Sequence, residues 1–436
     1  MPNKLLHQEL QRIVPGRVRS STRMQKDFSN LPGPYPSAVL HNLSDDELRK
    51  VLDFAAQRGV QISLRGASHS CNGQTQTDQI LLDLRSKPLP NDLVTPAALD
   101  AGLQWGQIER RLRAQQQAVP VLADHYGLSV GGTLSVGCYG ADSLRHGALV
   151  HQVKALEVMT ADGNLVKCSG DQNASLFEGT LAGVGGPGII RRVDLKTTRN
   201  APFTYLQSYR ANSLEELAVH AMEAQTTTAD IFKALWANGR YVATYGRNFD
   251  HPGQARDQQA ILNKRAFLSW LTPRYRTWRS FAVKLWVGRY ANAAKIWSDY
   301  LLPESDLLTF CQTLQVALND PIARAVKAIY LLPIKRHPQS NIYLEGSNSM
   351  AGGQVFGMGL YCMLPRSDLL AQAELRAWLE ARLHEALSCG GTPYLYGHHR
   401  LDTATMAQAF GPNWQAYRDA QAQWNGQQLL RHVLPT

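Results

Sequence analysis

The loop Arg65-Gly66-Ala67-Ser68-His69-Ser70 is where chemistry first shows in this chain. Its small residues let backbone N–H groups come close to an anion, as a pyrophosphate requires. A histidine in such a loop can hydrogen-bond a cofactor, ligate it or bond to it covalently. About sixty residues on, Val130-Gly131-Gly132-Thr133-Leu134-Ser135 again offers N–H groups and hydroxyl donors. Two such loops are compatible with one diphosphate held between them. Neither fits the G-x-G-x-x-G fingerprint with its helix and distal acid, and there is no P-loop lysine. That disfavours a nicotinamide enzyme or a nucleoside triphosphatase.

The elements around the loops predict an α/β unit. Pro36 to Leu40 reads as a short strand. Ser44 with Glu47 makes a capping box, and Leu48, Val51, Leu52, Phe54 and Ala55 follow at helical spacing. Gly59 ends that helix. Val60, Ile62 and Leu64 alternate as in a strand. The histidine loop comes next, and then the apolar run Ile80–Leu84. A polar loop at a strand end is where α/β folds bind ligands. Residues 103–115 suit a helix, and 155–169 a hairpin turning at Asp162-Gly163. Residues 176–198 read as helix, glycine turn and strand. From about 201 the glycine-rich character fades, and 410–430 is again helical. The expected division is 1–200, 201–405 and a C-terminal segment, 406–436.

At 436 residues, 44% of them hydrophobic, the chain can bury a large core. The N-terminus lacks the apolar run and cleavage site of a signal peptide. No stretch approaches a membrane span. The six cysteines are scattered and fit no metal-ligand spacing, so a cytoplasmic location and no metal are expected. The net charge is +10, and no acidic residue stands between Asp257 and Asp299. Segment 258–298 mixes eight lysines and arginines with Trp270, Tyr275, Trp278, Phe281, Trp286, Tyr290 and Trp297. One reading is a surface for an acidic partner or a membrane. The plainer one is an amphipathic helical pair with a solvated basic face. Nucleic-acid binding is not expected, since no recognised module is present.

Taken in order, RGASHSCNGQ, ADHYGLSVGGTLSVGCYGADSLRHG, ALEVMTADGNLVKCS and AGVGGPGIIRRVDL resemble the FAD-binding domain of the vanillyl-alcohol oxidase / p-cresol methylhydroxylase superfamily. Within it they are most similar to cytokinin dehydrogenases, over roughly residues 30–200. PYLYGHH and FGPNW-QAY are similar to that superfamily's C-terminal strand and helix. The resemblance implies an α+β fold, with a two-part FAD-binding domain and an α+β substrate domain built on an antiparallel sheet. It implies FAD bound through its 8α-methyl to His69. Arg65 to Ser70 with Asn72, Gly73 and Gln74 would wrap the pyrophosphate. Val130, Gly131, Gly132, Thr133 and Ser135 would form the other phosphate wall. Gly188 and Ile190 would line the adenine side, and Gly140 would also contact the cofactor. Asp124 matches the catalytic aspartate that accepts a proton or hydrogen bond from a substrate amine as hydride leaves for flavin N5.

Several positions depart from that pattern. Ser68 and Cys138 stand where glycine is usual. No cysteine lies just before Gly131-Gly132, so a single flavin link is expected. Residues 230–236, DIFKALW, offer no glutamate to partner Asp124, and Lys233 stands there instead. SDYLLPESDLLTF (298–310) resembles the Tyr-x-x-Pro strand and following helix of alditol oxidases and decaprenylphosphoryl-ribose oxidase. His398 or His399 falls about where those enzymes place a lysine near flavin N1, and Tyr394 or Tyr396 could face the pocket. The expected activity is oxidation of a small organic substrate at an amine C–N bond, with oxygen or a quinone-like compound as electron acceptor. The alternative is oxidation of an alcohol or sugar, or of a larger or carrier-bound intermediate.

Overall fold

The computed structural model describes residues 4–19, 27–71, 73–86, 95–255, 261–262, 265–350 and 353–435. Two four-stranded sheets and one eight-stranded sheet, with helices packed on them, make the expected α+β architecture.

In the first sheet, Ala38–His41 and Ile62–Arg65 flank Ile80–Asp83, both parallel to it, and Val18–Arg19 adds an antiparallel edge. The sequence signals explain the helix that joins the first two of these parallel strands. The Ser44 hydroxyl accepts from Glu47 N at 3.1 Å, and the Glu47 carboxylate accepts from Ser44 N at 2.8 Å. Helix Asp45–Arg58 then buries Leu48, Val51, Leu52 and Ala55, and Gly59 closes it at φ +63°, a left-handed turn. The histidine loop leaves from the carboxyl end of Ile62–Arg65.

The second sheet is antiparallel, in the order Leu99–Asp100, Ile189–Leu195, Val153–Met159, Leu165–Ser169. The third runs Leu268–Pro273, Phe203–Ala211, Arg240–Phe249, Ile231–Ala237, Val326–Ile334, Val355–Pro365, Ala293–Pro303, Thr392–Pro393, with every pairing antiparallel. Helices Leu214–Thr226, Leu307–Ala317 and Leu369–Ser388 share one buried core with it. At the end of the chain, helix Pro412–Trp424 packs on helix Ala174–Thr180. Leu429 and Arg431 then hydrogen-bond Ile62 through the backbone at 2.8 and 2.9 Å, so the tail lies beside the first sheet.

The basic aromatic segment differs from the helical pair expected of it. Among its described residues it forms one edge strand, Leu268–Pro273, one helix, Tyr275–Gly288, and the start of strand Ala293–Pro303. Its basic face is not uniformly solvated either, because Arg276 and Arg279 point inward.

Candidate active site

A cleft of about 690 Å³ runs between the glycine loops and the eight-stranded sheet. Gly66, Ala67, Ser68, His69, Ser70 and Gln74 line one wall, and Gly131, Gly132, Thr133 and Ser135 line another. Ser129 joins these two loops, its hydroxyl accepting from Ala67 N at 3.3 Å. A Cβ on Gly66 would stand 2.2 Å from that hydroxyl, and one on Gly132 2.8 Å from it. Glycine is therefore what lets the two loops close on each other. Gly140, Gly188 and Ile190 also reach the cleft.

The two replaced glycines keep glycine's backbone. Ser68 sits at φ +60° and Cys138 at φ +62°. Side chains rarely adopt that region, and strain of this kind gathers at ligand sites. Ser68 Oγ and Arg65 Nε are buried with no hydrogen-bond partner among the described residues. Buried donors left open are costly, and Ser68 lines the cleft beside glycines at which a Cβ would meet the Ser129 hydroxyl. The donor set fits a diphosphate.

His69 lines the cleft with its Nδ1 3.0 Å from the Ala67 carbonyl oxygen, which makes Nδ1–H the donor and leaves the Nε2 lone pair free of that bond. Phe28 stacks on the ring at 5.4 Å, and the His125 ring lies 4.7 Å away. Burial holds His69 below the usual imidazole range, against the pull of the Ala67 carbonyl. His125 is pushed down to about 4, first by burial and then by His69 and Lys284.

Other expected residues serve the frame. Where the sequence predicted a loop, residues Val130–Leu134 form a short helix, and its first residue, Val130, is fully buried in the core. The Thr133 hydroxyl donates to the Val130 carbonyl at 2.8 Å and accepts from Trp105 Nε1 at 2.9 Å. The Ser135 hydroxyl donates to the Gly131 carbonyl at 2.8 Å. Gly73 turns its loop at φ +70° and, like Arg65, is not on the cleft wall. Asn72 lies outside the described residues.

Asp124 lines the cleft between two cations. Lys233 Nζ donates to its Oδ2, and Arg279 Nε lies 2.8 Å from its Oδ1. Burial pushes this carboxyl up, but the Arg279 and Lys233 charges outweigh it and hold the group below the usual carboxylate range. Lys233 was visible in sequence as the residue standing in the missing glutamate's region. Arg279 was one basic residue among eight.

The His398-His399 pair stands back from the cleft. His399 Nε2 is 3.0 Å from the Tyr394 carbonyl oxygen and Nδ1 3.4 Å from Ser298 Oγ, while His398 N donates to the Trp297 carbonyl at 2.5 Å. Burial pushes both imidazoles down to about 4. Neither lines the cleft; Tyr394 and Tyr396 do. The chain turns after Thr392–Pro393, with Gly397 N donating to the Tyr394 carbonyl, and this presents the tyrosines and tucks the histidines behind them.

Sequence reasoning missed Asp299. Gly359, on the middle strand, pairs with Asp299 on one side and Tyr330 on the other. A Cβ there would come within 2.1 Å of the Tyr330 ring and 2.2 Å of Asp299 Oδ1. Glycine thus lets the Tyr330 hydroxyl cross that strand and donate to Asp299 at 2.8 Å. Tyr330 lines the cleft, and Asp299 lies behind it with Oδ2 unpartnered among the described residues. Burial pushes the Asp299 carboxyl up to about 7, against the lowering effect of the Tyr330 bond. The available signal was a lone acid inside a long apolar strand.

The cleft thus sets a cradle that fits a diphosphate against an aromatic, cation-bearing pocket. Residues 36–169 match the family described as FAD binding domain. An uncharacterised oxidoreductase of the fasciation locus of Rhodococcoides fascians is 33% identical over 39% of this chain and 40% of its own length. Cytokinin dehydrogenase 7 of Oryza sativa subsp. japonica is 31% identical over 40% of this chain and 35% of its own. D-arabinono-1,4-lactone oxidase of Yarrowia lipolytica is 32% identical over 48% of this chain and 39% of its own. Each alignment thus covers less than half of the relative. Residues 36–169 are therefore similar to an FAD-binding domain, and the chain spans about 35–40% of the length of these curated relatives.

Proposed function

We propose that the chain is an FAD-dependent oxidoreductase that takes hydride from a hydroxyl-bearing carbon, with FAD attached to His69 and reoxidised by oxygen or a quinone-like acceptor. The observation that carries the substrate class is the Lys233–Asp124–Arg279 cluster. A carboxylate that two cations already satisfy is a weak base, and the cations repel an ammonium substrate. The same cations favour the negative charge that grows on oxygen when a hydroxyl loses its proton. The partial likeness to a lactone oxidase supports this reading, whereas the likeness to cytokinin dehydrogenases and the cleft position of Asp124 support the amine alternative.

FAD supplies the hydride acceptor when bound. The Gly66–Ser70 and Gly131–Ser135 loops would hold its diphosphate, with Ser68 as a hydroxyl donor. Lys233 orients the substrate oxygen. Tyr330 takes the hydroxyl proton as it passes its own to Asp299, a carboxyl poised near neutrality as a general base should be. Lys233, Leu235, Tyr330 and Leu332 share the wall facing the cleft, which puts orienting cation and proton acceptor on one surface. His69, neutral through burial and fixed by Ala67, is the tether.

The test is anaerobic bleaching of the bound flavin by secondary alcohols, aldoses and lactones beside N6-substituted adenines and secondary amines. Bleaching by the oxygen compounds is expected, and bleaching by the amines alone would return the chain to the amine reading. Acid precipitation should leave the yellow chromophore on the polypeptide and release it from His69→Ala. Release from the wild type would end the covalent assignment and leave the substrate reading standing.

A further inference from the structure

Six of the chain's large exposed apolar side chains lie within nineteen residues of one another: Phe267, Leu268, Trp270, Trp278, Phe281 and Leu285. They come from an edge strand of the large sheet and the helix that follows it directly. On helix Tyr275–Gly288, Trp278, Phe281 and Leu285 fall at i, i+3 and i+7, a single stripe, and they are 59, 53 and 56% exposed. The opposite face of the same helix is spoken for. Arg276 donates to the Val119 and Pro120 carbonyls at 2.6 and 2.9 Å, and its guanidinium lies 3.2 Å from Asp142. Arg279 meets Asp124, and Val283 and Trp286 wall the cleft. The helix is therefore pinned by its inner face, and its apolar outer face stays in solvent.

Charge identifies what would cover that face. Arg265, Arg274, Lys284 and Arg289 are exposed around it, Arg210 lies 5.0 Å over the Phe267 ring, and no acidic residue occurs between Asp257 and Asp299. A second copy of the chain would bring two such cationic rims together. An anionic lipid surface takes both parts at once: aromatic and aliphatic side chains enter the headgroup boundary while the rim meets lipid phosphates. No helix among the described residues is long and apolar enough to cross a membrane, so contact through this face is peripheral.

We propose that helix Tyr275–Gly288 with strand Leu268–Pro273 docks the protein on anionic bilayers, which places one wall of the cleft against the lipid. The docking stands apart from the substrate reading and survives its failure. The flavin-loaded full chain is sedimented with vesicles of phosphatidylcholine alone and of phosphatidylcholine with 30% phosphatidylglycerol. At least tenfold more protein is expected with the anionic vesicles, with the excess falling as salt rises. The variant Trp278→Ser/Phe281→Ser/Leu285→Ser should lose at least tenfold of that binding and keep its flavin absorbance and melting temperature. Val316→Ser/Leu370→Ser, at exposed apolar positions elsewhere, should bind as the wild type does. Should the triple variant fail to fold, Arg265→Gln/Lys284→Gln/Arg289→Gln decides, with a loss of the anionic preference expected. No sedimentation by the wild type, undiminished binding by the folded triple variant or by the charge variant, or a wild-type dimer that these two variants dissolve would each overturn the docking.

Discussion

The cleft turns on a few single residues, and their environments assign them different work. Lys233 is the sharpest case. Lys233→Met removes a cation from Asp124 and leaves Arg279 as its remaining ion-pair partner. Hydrogen bonds to charged groups contribute about 1.5–3 kcal/mol, so flavin reduction by a hydroxyl substrate should slow about ten- to hundredfold in stopped-flow absorbance, with flavin content unchanged. An unchanged rate would remove Lys233 from the site. Asp299 makes a pH prediction. Its folded-state value of about 7 lies above the ordinary 3.8, so between those values the folded chain holds a proton that the unfolded chain has released. Stability therefore falls as pH rises through that window, and the loss is complete above the folded value. Asp299→Asn keeps an acceptor for Tyr330 and removes the charge. Its melting temperature should exceed the wild type's at pH 8 and match it near pH 4. The rise in flavin reduction through about pH 7 expected of the wild type should vanish in the same variant.

Elements explain why some of this was legible in the sequence and some was not. The capping box at Ser44 and Glu47, the Asp162-Gly163 turn and the histidine loop are local signals that the structure realises within a few residues, whereas the second glycine run, read as a loop, folds as the short helix Val130–Leu134. The cluster at Asp124 is assembled from three elements far apart in the chain, so spacing could suggest Lys233 and had no means of suggesting Arg279. The Tyr330–Asp299 contact depends on the register of three strands and on a glycine in the middle one. The basic segment misled for a related reason. A basic aromatic helix reads as a solvated face until it is known that its arginines find buried acids. Arg276 shows the consequence, lying 3.5 Å from Glu109 and 3.2 Å from Asp142. Breaking a buried ion pair from one side costs up to about 3–5 kcal/mol when an acid is left unpaired; here Glu109 loses its cation, while Asp142 keeps Arg279 at 3.8 Å. Arg276→Met should lower the unfolding free energy from denaturant titration by about 2–4 kcal/mol and weaken the hold of the helix on the cleft. A loss below about 1 kcal/mol would mean that the acids find another partner.

At the scale of the whole molecule, the cleft is braced by a segment remote from it in sequence. Asn425 Nδ2 donates to the Gly186 carbonyl at 3.0 Å and to the Leu430 carbonyl at 2.9 Å, and its Oδ1 accepts from Leu430 N at 3.1 Å. Leu430 is fully buried, and the backbone on either side of it pairs with Ile62. Ile62 opens the strand that ends at Arg65 and delivers His69, while Gly186 sits between Gly185 and Gly188 on the facing wall. The tail thus ties the strand behind the histidine loop to the glycine turn opposite. Asn425→Ala would strip three buried hydrogen bonds from that joint and leave the Leu430 N–H and two carbonyls without this partner, a cost of several kcal/mol at about 1–3 for each orphaned group. A chain ending at Trp424 would lose the joint entirely. Both should show a lower melting temperature, and the truncated chain should purify with a reduced ratio of flavin to protein absorbance, since the tail braces the strand that delivers His69, the tether we propose for the flavin. Full flavin content in the truncated chain would mean that the glycine loops close on the cofactor without the tail, with Ser129 as their sufficient link.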